Sequence, residues 1–128
     1  TVEGADAKLQ EILGREADFD VVFTPNESGT EGAIKALKAL KLSDKVSHYG
    51  FDFSVSINEA LISGALRGVV IQDPYLMGQQ AMKFMLDAIE KRPVPLKLHT
   101  PALMVTAKNI ASATVKAKTD PFLNLRPR

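Results

Sequence analysis

The chain has 128 residues, 45% of them hydrophobic and 24% charged, with a mean hydropathy near zero. That is enough for one domain, or one lobe of something larger, and too little for two. Sixteen basic against fifteen acidic side chains leave a net charge of +1, which excludes the electrostatic footprint that nucleic acid or an anionic membrane requires, so the expected partner is small or uncharged. The absence of cysteine excludes disulfides, a thiolate nucleophile and a Cys-type zinc site.

The first helix is predicted over residues 5–16, where Leu9, Ile12 and Leu13 fall at helical spacing. The opening "TVEGADAKLQ" lacks the charged and apolar regions of a secretion signal, so any such signal is expected outside this chain. A short β-rich run over 19–24 follows. "SGTE" at Ser28 to Glu31 matches a capping box, and behind it Ala33, Ile34, Leu37 and Leu40 form an apolar stripe, with Lys35, Lys38 and Lys41 facing away. The second strand is "VSHYGFD". After it, "SINE" at Ser56 to Glu59 matches another capping box and opens a helix running to about Gly64. The third strand is Gly68-Val69-Val70-Ile71. Pro74 then stands where the first turn of a helix tolerates proline, and the pattern over 76–91 places Met77, Ala81, Met85 and Ala88 on one side until "RPVP" stops it. An extended segment over 96–110 leads into a polar, alanine-rich tail.

Strands of five or six residues alternating with helices of ten to eighteen predict an α/β fold with a doubly wound, mostly parallel sheet. Ligands in such sheets sit beyond the carboxyl ends of the strands. There the sequence puts Asn26, Asp52 and Gln72, two amides and one carboxylate. A polyhydroxylated neutral molecule needs that mixture, because each of its hydroxyls both donates and accepts and must be paired once taken out of water. Each residue also has a plainer reading. Asn26 can be a turn residue ahead of a helix, and Asp52 can help to cap the next one, although Ser54 and Ser56 are available for that task. Gln72 is neither a favoured cap nor a turn former. His48 and His99 are far apart without Cys or His neighbours, so they read as surface or partly buried side chains rather than metal ligands. Met77, Met82, Met85 and Met104 read as core filler. No P-loop, G-x-G-x-x-G or G-x-S-x-G motif occurs, and one carboxylate beside two amides suits recognition better than acid/base work. No catalytic residue, cofactor or metal is expected.

Three stretches, "FTPNESGTEGAIKAL", "YGFDFSVSINEALISGALRGVVIQDPYLMGQQAMKFML" and "VPLKLHTPALMVTAKNI", resemble the C-terminal part of periplasmic sugar-binding proteins of the ribose-binding type, the substrate receptors of ABC importers. The resemblance spans residues 6–118, and its most specific pieces are the strand-end asparagine, Gly-Phe-Asp and Gln-x-Pro-x-x-x-Gly. It implies that Asn26, Asp52 and Gln72 bond sugar hydroxyls, that the chain works outside the cytoplasm, and that a membrane permease is its partner. Family members have two lobes and are longer, so the expected layout is a partial C-terminal sugar-binding lobe over 1–72, a crossover helix over 73–97, and a returning hinge strand and tail over 98–128. The crossover helix is expected to pack on the other lobe or on another copy of the chain, which implies self-association of the fragment. Phe53, where the family often has a small side chain, is a candidate stacking surface for a sugar, although a core or hinge contact is the favoured reading. The alternative function is the effector-binding lobe of a LacI-type transcription regulator, which shares the fold. A small α/β enzyme is the third reading, because fold alone does not exclude it.

Overall fold

The computed structural model describes residues 1–15 and 19–124. Nine elements follow in chain order: α1 (Val2–Arg15), β1 (Val21–Phe23), α2 (Glu27–Ala39), β2 (Ser47–Phe51), α3 (Val55–Ser63), β3 (Gly68–Ile71), α4 (Pro74–Ile89), β4 (Leu103–Val105) and α5 (Ala113–Asn124). The four strands form one sheet in the order β1-β2-β3-β4, and β1, β2 and β3 run parallel. Val21 pairs with Ser47, and Tyr49 with Gly68, so the carboxyl ends of the three parallel strands lie along one rim.

The chain divides into two units. The first comprises Thr1–Ile71 and Met104–Arg128, and the second Gln72–Leu103. In the first, the helices lean on one another across small residues. Gly32 of α2 allows the α1 backbone to approach, since a Cβ there would lie 2.5 Å from the Val2 carbonyl oxygen. Leu13, Leu37 and Val46 are buried together, with Leu9, Phe19, Val22 and Leu42 packed around them. Leu37 is 1% exposed; burying such a side chain is worth roughly 1.5–3 kcal/mol, and truncating it to alanine costs about 2–5 kcal/mol once the cavity is counted. Ile57, Leu61, Leu66, Val69, Val105 and Val115 are among the other buried side chains. The second unit holds α4, which starts with Pro74 behind the Asp73 cap, as its missing N–H permits. None of its residues is buried.

Several local expectations are corrected. Helix α2 starts at Glu27 with Asn26 as its N-cap, so Ser28 lies inside the helix rather than capping it. Helix α3 likewise starts two residues early, capped by Ser54, whose hydroxyl accepts from the Ile57 amide. In both cases the chain turns helical as soon as it has left the strand, ahead of the capping-box match. The carboxylate of Glu31, expected to reach back to its own helix, instead accepts from Ser54 Oγ at 2.6 Å and from Ser56 Oγ. Only Leu103–Val105 of the extended 96–110 segment is strand, and the polar tail forms α5, which buries Val115 and Thr119. Glu16, part of the predicted first helix, lies outside the described residues.

Candidate functional site

Asn26 stands three residues beyond β1 in extended backbone (φ −157°). Its Oδ1 accepts the Gly29 amide at 2.7 Å and the Ser28 hydroxyl at 3.5 Å. The plain reading of this residue is therefore realised as a helix cap, yet the cap uses only its acceptor half. The Nδ2 group bonds no described residue, and the side chain is exposed, leaving two donors on the rim.

Asp52 is the first residue after β2. Its amide donates to the Val70 carbonyl at 2.8 Å, and its φ is +66°. A left-handed conformation costs an L-residue roughly 1–2 kcal/mol, and aspartate is among the few that visit it routinely. The turn takes the chain out of the sheet at the strand end, where such outliers are worth a functional explanation. It does not cap α3; Ser54 does.

Gln72 directly follows Ile71, the last residue of β3, and begins the second unit. Phe53 is 3% exposed and meets Phe122 of α5 edge to face, with ring centroids 6.5 Å apart. Its ring is thus part of the core.

The side chain that joins the rim carries no signal of its own in the sequence, where it lies inside the Ser28 to Glu31 capping-box match. Thr30, fully buried, donates through Oγ1 to the Asn26 carbonyl at 2.7 Å and accepts the Phe51 amide at 3.0 Å. One hydroxyl therefore holds the residue carrying the Asn26 donors and the strand residue just before Asp52. Thr24 Oγ1 lies 3.0 Å from it, and 2.9 Å from Nε2 of His48. His48 is completely buried, contrary to the surface or partly buried placement expected, and burial pushes its imidazole down to about 4.

Beside this rim, an open cleft of about 510 Å³ is lined by Glu27, Glu31, Phe53, Ser54, Ser56 and Phe122, among others. Partial burial, then the carboxylates of Glu31 and Asp52, raise Glu27 above the ordinary carboxylate range. The carboxylates of Glu31 and Asp52 thus each lie within electrostatic reach of Glu27. Among the described residues, no three His, Cys, Asp or Glu side chains stand together as a metal site. The arrangement offers amide donors and a carboxylate acceptor, which is the chemistry of hydroxyl recognition.

This fold, with polar side chains at the carboxyl ends of parallel strands, defines a class of small-molecule binding lobe. The model of the periplasmic binding protein domain matches residues 1–93, and the chain belongs to that family. A candidate rhizopine-binding protein of Rhizobium meliloti is 32% identical over 110 residues, 85% of this chain and 35% of that protein. Among solved structures, an ABC transporter solute-binding protein from Agrobacterium vitis with bound D-fucose superposes with a TM-score of 0.85 at 26% identity, covering 93% of this chain and 41% of that one. A carbohydrate transporter solute-binding protein from Agrobacterium radiobacter, in complex with D-arabinose, has a TM-score of 0.85 at 30% identity, covering 92% of this chain and 40% of that one. The chain thus spans well under half the length of these relatives.

Proposed function

We propose that the chain is the sugar-binding part of an extracytoplasmic solute receptor, that its ligand is a neutral monosaccharide or polyol, and that Asn26, Asp52 and Gln72 are the contacts. The observation that carries the reading is the rim at β1 and β2: an asparagine whose cap leaves both amide protons outward, and an aspartate held in a left-handed turn at the next strand end. Support comes from two relatives solved with D-fucose and D-arabinose, both neutral and polyhydroxylated. Phe53 serves the site from the core rather than as a stacking face. In this reading the protein performs no reaction; it closes on its ligand and delivers it to the permease of an ABC importer.

The test is calorimetric titration of the full-length protein with neutral pentoses, hexoses and polyols. Micromolar-range binding of one of them is expected. Asn26→Asp, which keeps the cap acceptor and removes the amide donors, is expected to weaken it roughly tenfold, and Asp52→Asn by about ten- to a hundredfold, because the carboxylate makes the charge-assisted bonds. Absence of binding across the panel, or wild-type affinity in both variants, would overturn the assignment.

A further inference from the structure

The hydrogen bonds around Thr30 can be given directions. A hydroxyl has one proton and two lone pairs. Phe51 N–H can only donate, so Thr30 accepts there, at 3.0 Å. The Asn26 carbonyl can only accept, and its 2.7 Å contact is shorter than the 3.1 Å to the Phe51 carbonyl, so the Thr30 proton belongs to Asn26. The remaining lone pair of Thr30 takes the Thr24 proton at 3.0 Å, closer than the Tyr49 carbonyl at 3.4 Å, and Thr24 in turn accepts Nε2–H of His48 at 2.9 Å. This leaves Nδ1 of His48 as a bare lone pair, and Nδ1 is the buried side-chain atom that has no partner among the described residues. The opposite direction would strand an N–H there, and buried N–H groups are left unpaired more rarely than acceptors.

We propose that Thr30, oriented by Thr24 and His48, is the positioning residue of the sugar site: one buried hydroxyl sets the Asn26 end of β1 against the Phe51–Asp52 turn of β2. The proposal rests on the reading of the site as a sugar site. A buried threonine in a helix commonly bonds the carbonyl four residues back and nothing more. Here the same oxygen also binds a strand residue 21 positions away. Gly50 matches this arrangement, since a Cβ there would lie 2.3 Å from Thr30 Cγ2 and 2.8 Å from its hydroxyl. The two residues must fit together for the hydroxyl to reach the strand.

The experiment compares Thr30→Ser, Thr30→Val and Thr24→Val in the full-length protein, reading sugar affinity, melting temperature and the imidazole nitrogens of His48 by ¹⁵N NMR. Thr30→Ser retains the hydroxyl and is expected to stay within about threefold of wild type, whereas Thr30→Val loses roughly tenfold or more in the folded protein. Thr24→Val is expected to fall between them. A purely structural threonine would lower the melting temperature of Thr30→Val and leave the affinity of the folded protein unchanged, and that result overturns the proposal. If Thr30→Val does not fold, an unchanged affinity in Thr24→Val overturns it instead. The wild-type imidazole is expected to carry its proton on Nε2; a proton on Nδ1 overturns the assigned directions. A wild type that binds no sugar in the panel refutes the sugar reading and Thr30's role in it together, while the His48 tautomer still reports on the hydrogen-bond chain separately.

Discussion

At Asp52, two demands meet in one residue: a backbone that only glycine, asparagine and aspartate adopt at low cost, and a carboxylate at a strand end. Alanine satisfies neither, so Asp52→Ala confounds ligand loss with backbone strain. Asp52→Asn keeps the conformational tolerance and removes only the charge. Urea unfolding is therefore expected to find Asp52→Ala less stable than Asp52→Asn by about 1 kcal/mol. Equal midpoints would show that the left-handed turn carries no such cost. The sequence made this residue visible through its place after an apolar run, whereas its dihedral left no trace, because nothing local requires φ to be positive after Phe51. Thr30 was hidden for a different reason. It lay inside a run that matched a capping box, and its value depends on the distant Phe51 and Thr24, which only the pairing of β1 with β2 brings within reach.

Between elements, the buried His48 ties β2 to the end of β1, and this makes stability depend on pH. An unfolded histidine takes up a proton near 6.5; in the folded chain burial delays that to about 4. Between those values the unfolded state binds more protons, so stability is full above pH 6.5 and falls as the pH drops toward 4, by about 3 kcal/mol from this group alone. Urea midpoints measured across that range should fall more steeply for the wild type than for His48→Gln, which has no titrating group there. Parallel slopes would rule out His48 as the source. The elements themselves were legible where periodicity is strong: the Gly68–Ile71 strand and the start of α4 at Pro74 stand as read, and of the α2 stripe Ala33 and Leu37 are buried, whereas Leu40 is the exposed C-cap beyond the helix. Boundaries were less so, because the caps at Asn26 and Ser54 depend on where the chain leaves a strand rather than on the nearest S-x-x-E match. The last helix escaped notice because Pro121 and its polar composition argue against a helix, while burial of Val115 and Thr119 and the contact of Phe122 with Phe53 outweigh that preference.

For the whole molecule, the distribution of apolar surface is as informative as the core. Val21 and Phe23 lie on the same face of β1 and are 56% and 60% exposed; Tyr49, paired with Phe23 across the ladder, and Met104, which faces Gly68 beside Tyr49, are exposed as well. In the second unit, Met77, Met82, Met85, Leu86 and Ile89 of α4 are exposed, none of them below 41%. Exposed apolar side chains grouped in this way, within each unit taken by itself, are rare on a soluble monomer and mark surfaces that other protein covers. When the 128-residue chain is prepared alone, the occupant at hand is a second copy, and self-association is the expected outcome. Light scattering should show a mass that rises with concentration, accompanied by binding of an apolar dye. Phe23→Glu and Met85→Glu, both at exposed positions outside the core, are expected to shift the population toward monomer with changes in folding stability of no more than about 0.5 kcal/mol. A monodisperse monomer at high concentration that binds no dye would refute this. Dimerisation lost with Met85→Glu but not with Phe23→Glu would assign the contact to α4, and the reverse would assign it to the open face of the sheet.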